Sequence, residues 1–509
     1  MDNNDAFRIQ FRKNSNGKIT QEVMLNNQIE SDYNLLNNPS YDEIEDVIRR
    51  YFYIKRNIFN SFHTRLQLIK INENEHILTI SSHHSLMDGL SITVLMMQLA
   101  KVWNQNRVVS SANSNYIEVL SENGLLGVSN SKLNSLKDYW KNYLAEASPA
   151  VMTSDYLSTD CNQDYKACAK RLISSEMTIQ IENFAKIYNL SAYHLFYLAY
   201  NILIAKHSGS TDVVTSFESA GRQNLKNASR TIGLFSIALI LKVKINDEAT
   251  FHQLLLDIKN DTERGIEHQH YPYHFIIKDA KINPKYSFNW FPKMLLPKLQ
   301  GLEISQESFL NLQSSFDFNL HCHRKEHGIS LEPLFNPTIF SQARVEKLLE
   351  QFESIIKQII AKPEGSIADI NLITETNQKY KPNFDISFAK KVKKRINEDF
   401  LNCVKNQPQN VAIKYLDQLW TYREIDDGSD KLAQLLISKG LASGDRVAIL
   451  GLRCPSMIAA ILATIRCGAS FTVLNAAYPV AMLKNYWNTL NPDFLITCDY
   501  DLLDRKSVV

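Results

Sequence analysis

This chain lacks any run of about 18 apolar residues, so a membrane-spanning helix is not expected. Neither sign of charge dominates. Lys and Arg number 56 against 54 Asp and Glu, a net charge of +2, which excludes the strong basic excess of a general nucleic-acid binder. Cysteine is sparse, with seven residues at 161, 168, 322, 403, 454, 467 and 498 and no Cys-x-x-Cys pair. That excludes a dense disulfide framework, and the odd count predicts reduced thiols in a cytoplasmic protein. The start, Met1-Asp2-Asn3-Asn4-Asp5, lacks the basic and apolar regions of a secretory leader. A Gly-x-Ser-x-Gly elbow is also missing, which argues against a serine nucleophile of that type. What remains is a 509-residue chain, 44% hydrophobic and 22% charged. Such a composition is that of a globular protein, and the length suggests roughly three or four folding units.

One segment carries chemistry. Ser82-His83-His84-Ser85-Leu86-Met87-Asp88-Gly89 reads His-His-x-x-x-Asp-Gly and closes the strand-like run Ile77 to Ser82. Alternation along a strand would set His84 on the face of Leu78, Ile80 and Ser82, with His83 opposite. An imidazole at a strand end against an apolar wall is suited to take a proton from an attacking amine or alcohol, or to orient it. A helix follows, with Ile92, Leu95, Met96, Leu99, Val102 and Trp103 on the helical period and Ser91 as its expected N-cap.

The rest of the chain divides into repeated mixtures of strand and helix. Strand patterns at Phe7 to Phe11, Thr64 to Ile71 and His76 to Ser82 alternate with helices at Tyr41 to Tyr53 and Ser91 to Asn104. A second region has a helix capped by Ser191 with Ala192, Leu195, Phe196, Ala199, Ile202 and Leu203 on its apolar face, stopped at Gly209. Strand-like runs follow at Val213 to Phe217, Ile237 to Val243 and Phe316 to Cys322, before a helix from Gln342 to Ile360. The basic run Lys390 to Arg395 is expected to be a solvated helix start. Beyond Ile396, strand, helix and strand alternate as in an α/β unit.

The doubled-histidine motif, with the glycine and the strand-then-helix context, resembles the condensation domains of nonribosomal peptide synthetases. These belong to the chloramphenicol-acetyltransferase-like superfamily. Weaker segments follow in that family's order: Ala220-Gly221-Arg222, Ile232-Gly233-Leu234-Phe235, His268-Gln269-His270-Tyr271-Pro272-Tyr273 and Phe316-Asp317-Phe318-Asn319-Leu320. Leu419-Trp420-Thr421-Tyr422-Arg423-Glu424-Ile425 and Cys467-Gly468-Ala469-Ser470-Phe471 are similar to the opening of an adenylation, or AMP-binding, domain.

The resemblance implies an α/β fold: two chloramphenicol-acetyltransferase-like lobes forming a V-shaped pseudo-dimer with a substrate tunnel between them, then a partial α/β adenylation segment. The expected boundaries are 1–148 for the N-terminal lobe, truncated at its start, 149–374 for the C-terminal lobe, 375–395 for a linker, and 396–509 for the adenylation fragment. It implies peptide-bond formation between a carrier-bound thioester donor and an aminoacyl acceptor. The catalytic candidates are His84, which positions or deprotonates the amine, Asp88 and Gly89. His83 is expected to be structural, and Arg8 is the expected ionic partner of Asp88. Gly89 would allow close backbone approach. Gly233, Phe235, Asp317 and Asn319 are candidate tunnel residues. No cofactor is expected on the chain itself, since phosphopantetheine arms come with partner carrier domains. Further partners would be other synthetase modules, with no nucleic acid and no membrane. His268, His270 and His274, or His321, Cys322, His323 and His327, lack a fourth ligand at zinc spacing, so no metal site is expected.

Related activities stay open. One is a CoA-dependent O- or N-acyltransferase of the same superfamily, although the plant-type Asp-Phe-Gly-Trp-Gly segment is missing. Another is a truncated, non-catalytic docking module. Gly89 in place of arginine departs from an epimerisation domain, and His83 in place of aspartate from a cyclisation domain. The phosphate loop and ribose-binding acid of an adenylation domain do not occur in these residues, so ATP-dependent activation is not expected of this chain.

Overall fold

The computed structural model describes residues 4–25, 30–36, 38–52, 57–59, 63–105, 115–126, 128–147, 149–156, 167–245, 248–294, 296–305, 314–381, 395–476, 478 and 480–498. The basic run from Lys390 lies outside them except for Arg395. Among the described residues no helix is long and apolar enough to cross a membrane.

The first lobe begins with a 3-10 turn, Asp5–Arg8, and an antiparallel hairpin of β1 (Ile9–Lys13) and β2 (Ile19–Val23). A three-stranded sheet follows, made of β3 (Glu30–Leu35), β4 (Thr64–Lys70) and β5 (His76–Ser82) with α1 (Tyr41–Phe52) between the first two. β3 and β4 are parallel and β4 and β5 antiparallel. Arg65 lies over the Tyr51 ring, and its guanidinium donates to the Tyr51 carbonyl at 3.0 Å, which ties α1 to one sheet face. Helices α2 (Gly89–Gln105), α3 (Tyr116–Glu122) and α4 (Asn130–Tyr143) complete this part of the chain. α4 sends Leu136 and Trp140 into the core of the next lobe, and the Trp140 indole donates to the His268 carbonyl at 3.1 Å.

The second lobe comprises β6 (Ala167–Cys168), β7 (Arg171–Ile173), α5 (Ser175–Ile187), α6 (Ala192–Ser208), β8 (Asp212–Ser219), β9 (Ile237–Lys244), α7 (Phe251–Glu267), α8 (Tyr273–Ala280), β10 (Tyr286–Phe291), β11 (Phe318–Lys325), β12 (Gly328–Phe335) and α9 (Gln342–Ala361). Its seven strands run in the order β6-β12-β11-β10-β8-β9, with β7 also pairing with β12. Only β10 is parallel to its neighbours β8 and β11. α6 is buried continuously from Leu195 to Ala205. A helix apolar all round belongs inside a core, and it packs against α9 through Phe196 and Phe352 and against the sheet through Tyr197 and Phe288. The stripe expected from periodicity was therefore too narrow, because Tyr197, Leu198 and Tyr200 are buried too. Gly209 ends the helix at φ +66°, a left-handed C-cap that glycine adopts at least cost.

The last segment comprises α10 (Glu398–Asn406), β13 (Val411–Tyr415), β14 (Gln418–Thr421), α11 (Tyr422–Ser438), β15 (Arg446–Gly451), α12 (Pro455–Arg466), β16 (Ser470–Asn475), α13 (Val480–Leu490) and β17 (Phe494–Cys498). β15 sits between β16 and β17 in a parallel sheet. Thr421 and Glu424 form a capping box, each side chain accepting from the other's backbone N–H at 3.2 and 2.7 Å. The motif Leu419 to Glu424 is thus, locally, a helix start.

Candidate active site

β5 ends at Ser82, so the strand alternation stops two residues before His84. His83 to Leu86 form a turn instead, held by hydrogen bonds from the His83 N–H to the His63 carbonyl and from the Leu86 N–H to the His83 carbonyl, both 3.0 Å. Leu86 and Met87 plug into a core that the two lobes share: Phe7, Leu95 and Tyr116 come from the first lobe, and Ala228, Ile232 and Phe235 from the second. The turn then closes on Asp88, whose Oδ1 accepts from the Ser91 N–H at 2.8 Å. Asp88 is the residue that caps α2, and Ser91 lies three positions further in. This corrects the assignment of Ser91 as N-cap.

Asp88 is 4% exposed, and both of its oxygens are occupied. Oδ1 also accepts from the Arg222 guanidinium at 2.7 Å and lies 2.8 Å from the Ser91 hydroxyl. Oδ2 accepts from the backbone N–H groups of Phe235 and Ser236 at 2.9 and 3.2 Å. Arg222 is itself enclosed. It donates to the carbonyls of Ala228 and Thr231 and lies 4.3 Å from the centre of the Phe235 ring. The partner of Asp88 is therefore Arg222, and the expected pairing with Arg8 is overturned. Arg8 donates to the Met24 carbonyl at 2.8 Å, holding its own hairpin. Ala220-Gly221-Arg222 had been noticed as a turn, but spacing alone did not signal its ionic role across 134 residues.

Two glycines make this junction possible. Gly221 has φ +64°, and a Cβ there would sit 1.7 Å from the Phe235 carbonyl oxygen. A Cβ on Gly233 would lie 2.1 Å from the Tyr116 ring. The Gly233 carbonyl lies 2.8 Å from the Ser91 hydroxyl, and the Tyr116 hydroxyl donates to the Leu234 carbonyl at 2.7 Å. Burial, and then the Asp88 charge, push the Tyr116 hydroxyl up to about 12. Gly233 and Phe235 thus belong to the joint between the lobes.

His83 and His84 differ. The His83 ring lies 5.8 Å from that of His63 and 6.5 Å from that of Phe11. Its Nδ1 accepts from the Ser85 N–H at 3.2 Å and lies 2.6 Å from the Ser85 hydroxyl. Burial, helped by the neighbouring His84 charge, holds His83 below the usual imidazole range. His84 is exposed, and among the described residues nothing hydrogen-bonds to its ring. It acts electrostatically on Glu218 of β8, whose carboxyl is raised first by burial and then by Asp88, against the pull of His84. A Cβ on Gly89 would meet nothing within 4 Å, so the chain's own packing does not demand glycine there.

Asp317 and Asn319 sit at the start of β11. Asp317 lies 3.9 Å from the Lys285 ammonium, while Asn319 is buried and its amide oxygen has no hydrogen-bond partner among the described residues. Among the described residues no group of three or more His, Cys, Asp or Glu side chains could hold a metal ion. His268 stacks on Tyr139, His323 stacks on Phe291, and His323 lies 3.7 Å from Glu332.

Comparison with known proteins agrees with this geometry. The family model described as condensation domain matches residues 1–380, and that described as AMP-binding enzyme matches 400–508. Gramicidin S synthase 2 of Brevibacillus brevis is 25% identical over 505 residues, 95% of this chain but 11% of that protein. Surfactin synthase subunit 1 of Bacillus subtilis (strain 168) is 23% identical over 450 residues, 85% of this chain and 12% of that protein. The chain thus spans about a tenth of the length of these curated relatives. A four-domain nonribosomal peptide synthetase bound to AMP and glycine superposes with TM-score 0.63 at 19% identity, covering 100% of this chain and 40% of that one. The first condensation domain of the calcium-dependent antibiotic synthetase, in complex with a substrate analogue, superposes with TM-score 0.58 at 14% identity, covering 73% of this chain and 88% of that one. The chain belongs to the condensation-domain family, with the chloramphenicol-acetyltransferase-like fold and a partial AMP-binding region after it.

Proposed function

We propose that this chain forms an amide bond between a carrier-bound acyl thioester and the amine of a carrier-bound aminoacyl thioester. The observation that carries this reading is the contrast within one turn. His84 stands open and free of hydrogen bonds to described residues, while Asp88, four positions on, is locked by partners from the other lobe. A thioester is already activated toward amines, so the protein needs no covalent nucleophile. It needs an amine freed of its extra proton and held against the thioester carbon. His84 supplies the basic nitrogen, and the anchored turn fixes where that nitrogen stands. Positioning of this kind lowers a barrier by about 7–11 kcal/mol where the geometry is good.

Gly89, at the first turn of α2, leaves open space for the reacting groups. Asp88, Arg222, Gly233 and Phe235 act on the joint rather than on substrate. The phosphopantetheine arms belong to partner carrier domains of neighbouring synthetase modules, working in the cytoplasm. The test is a product assay with two loaded carrier proteins. Amide product from wild type but not from His84→Ala supports the reading. Product only from free CoA thioesters would move the chain to the stand-alone acyltransferases, and no product at all would make it a docking remnant.

A further inference from the structure

The face of the second lobe's sheet that turns away from α6 carries a row of polar side chains. Ser216 of β8 pairs in register with Ser287 of β10, and Ser287 with Asn319 of β11. Two residues further along, on the same face, stand Glu218 on β8, Asn289 on β10 and His321 on β11, the last opposite Glu332 of β12. The other face, with Phe217, Phe288 and Leu320, packs into the core.

This polar face is not satisfied from within. Asn289 and Asn319 are 6% and 7% exposed, and among the described residues the amide oxygen of each lacks a hydrogen-bond partner. Buried acceptors are normally paired, because leaving one unpaired destabilises the fold. Glu218 adds a carboxylate to the same face. Solvent reaches it, yet protein surrounds it closely enough for burial to be the main influence on its carboxyl. Among the described residues no hydrogen bond or ion pair engages that carboxylate. The titratable groups whose charge it meets are His84 and Asp88 of the first lobe, and Asp88 is already held by Arg222.

We propose that Glu218, backed by the amide oxygens of Asn289 and Asn319, is the site that takes the ammonium group of the incoming aminoacyl acceptor and presents it to His84. The inference rests on the condensation reading above and names a specificity-determining residue for it. An amine in water at neutral pH carries three N–H donors and a positive charge. A carboxylate beside two amide oxygens matches that group and disfavours an acylated or uncharged one.

His84 takes one proton from the ammonium and releases it to solvent. The freed lone pair attacks the donor's thioester carbon. The C–N bond forms, the C–S bond breaks, and a second proton passes from nitrogen through His84 to the departing sulfur. The third N–H remains in the amide. Glu218 exchanges no proton and holds the nitrogen throughout.

The experiment uses the full chain and alanyl-pantetheine with its thioester sulfur replaced by NH, alongside the N-acetylated form of the same compound. Binding is followed by calorimetry for wild type, Glu218→Gln and Asn289→Leu. The free-amine compound is expected to bind wild type about ten-fold more tightly than the acetylated one, and Glu218→Gln to remove that difference. In the two-carrier assay, Glu218→Gln is expected to raise KM for the aminoacyl carrier about ten-fold with little change in kcat, and Glu218→Asp to restore part of it. Should Glu218→Gln fail to fold, Asn289→Leu is expected to weaken amine binding in the same sense. Equal binding of the two compounds by wild type, no binding of either, or an amine preference unchanged in Glu218→Gln would each overturn the site. An unchanged KM for the aminoacyl carrier in Glu218→Gln would overturn it while leaving condensation intact. Amine preference lost in Glu218→Gln, with no amide from wild type, would instead overturn condensation and leave the amine site standing.

Discussion

In the second lobe α6 is wrapped on every side by a seven-stranded sheet and by α9. In the first lobe Tyr33, Leu68 and Leu78 stand opposite one another across three strands and remain 57%, 38% and 51% exposed. The turn from His83 to Asp88 is carried by the thinner lobe. Its far end is nevertheless among the best-held places in the molecule, because Asp88 is gripped by Arg222, Phe235 and Ser236 from the thicker one. Rigidity at His84 is thus borrowed across the joint, and the two lobes are expected to respond very differently to substitution.

The largest effect expected is on activity alone. His84→Ala should lower amide formation roughly 10²–10⁴-fold, the usual contribution of a positioned acid or base, and leave the melting temperature unchanged because the side chain is exposed. A matching loss of melting temperature would mean that His84 belongs to the joint. Next comes the joint itself. Arg222→Ala or Asp88→Ala leaves a buried charge without its partner and should cost about 3–5 kcal/mol in urea melts. The double variant should lose far less than the sum, whereas Arg8→Ala and Asp88→Ala should add, since among the described residues the Arg8 side chain holds only the Met24 carbonyl. Additivity for the Arg222 pair would break the argument that one lobe steadies the other.

Core substitutions sharpen the comparison further. Phe288→Ala, at a fully buried site in the second lobe, should cost about 3–5 kcal/mol. Leu78→Ala, half exposed on the first lobe's sheet, should stay within about 0.5 kcal/mol. A Leu78 variant as damaging as Phe288→Ala would show that something covers that sheet face in solution.

The second lobe should also show acid sensitivity. Burial holds His194 and His321 at about 4, against 6.5 for a free imidazole. The unfolded chain therefore takes up protons first as pH falls. Stability present at pH 7 should decline from about 6.5 and level off below about 4, by about 2 kcal/mol per histidine between pH 7 and pH 5. The His194→Gln, His321→Asn double variant should show a flatter pH dependence of thermal melting than wild type. An unchanged dependence would mean that other groups carry the acid response.

Much of this was legible before any fold was known. The helices α2, α6 and α9 and the strands β4, β5 and β8 follow from periodicity and end signals, as the Gly209 stop does. The doubled histidine with Asp88 and Gly89 marked the turn that the second lobe holds. Three details went astray for one reason, that local patterns do not register what happens outside their own element. Alternation assigned His84 to the strand face of Leu78, but β5 had already ended. Ser91 looked like the cap, although the carboxylate three residues earlier takes that place. Arg8 was chosen for Asp88 as the family's arginine, while the true partner lies on a turn 134 residues away.

The sequence by itself determined the elements and the chemistry available. Helical and strand periods, caps and glycine stops act over a few residues, so they are written in the chain. Only the tertiary structure decided what Asp88 and Glu218 do. A buried carboxylate takes its role from whichever donors surround it, and a strand residue takes its role from which face of the sheet the other lobe covers. For Asp88 that means Arg222 and two backbone N–H groups from the second lobe. For Glu218 it means the charges of His84 and Asp88 from the first lobe. Neither juxtaposition has a counterpart in sequence spacing, because both are made where the two lobes meet.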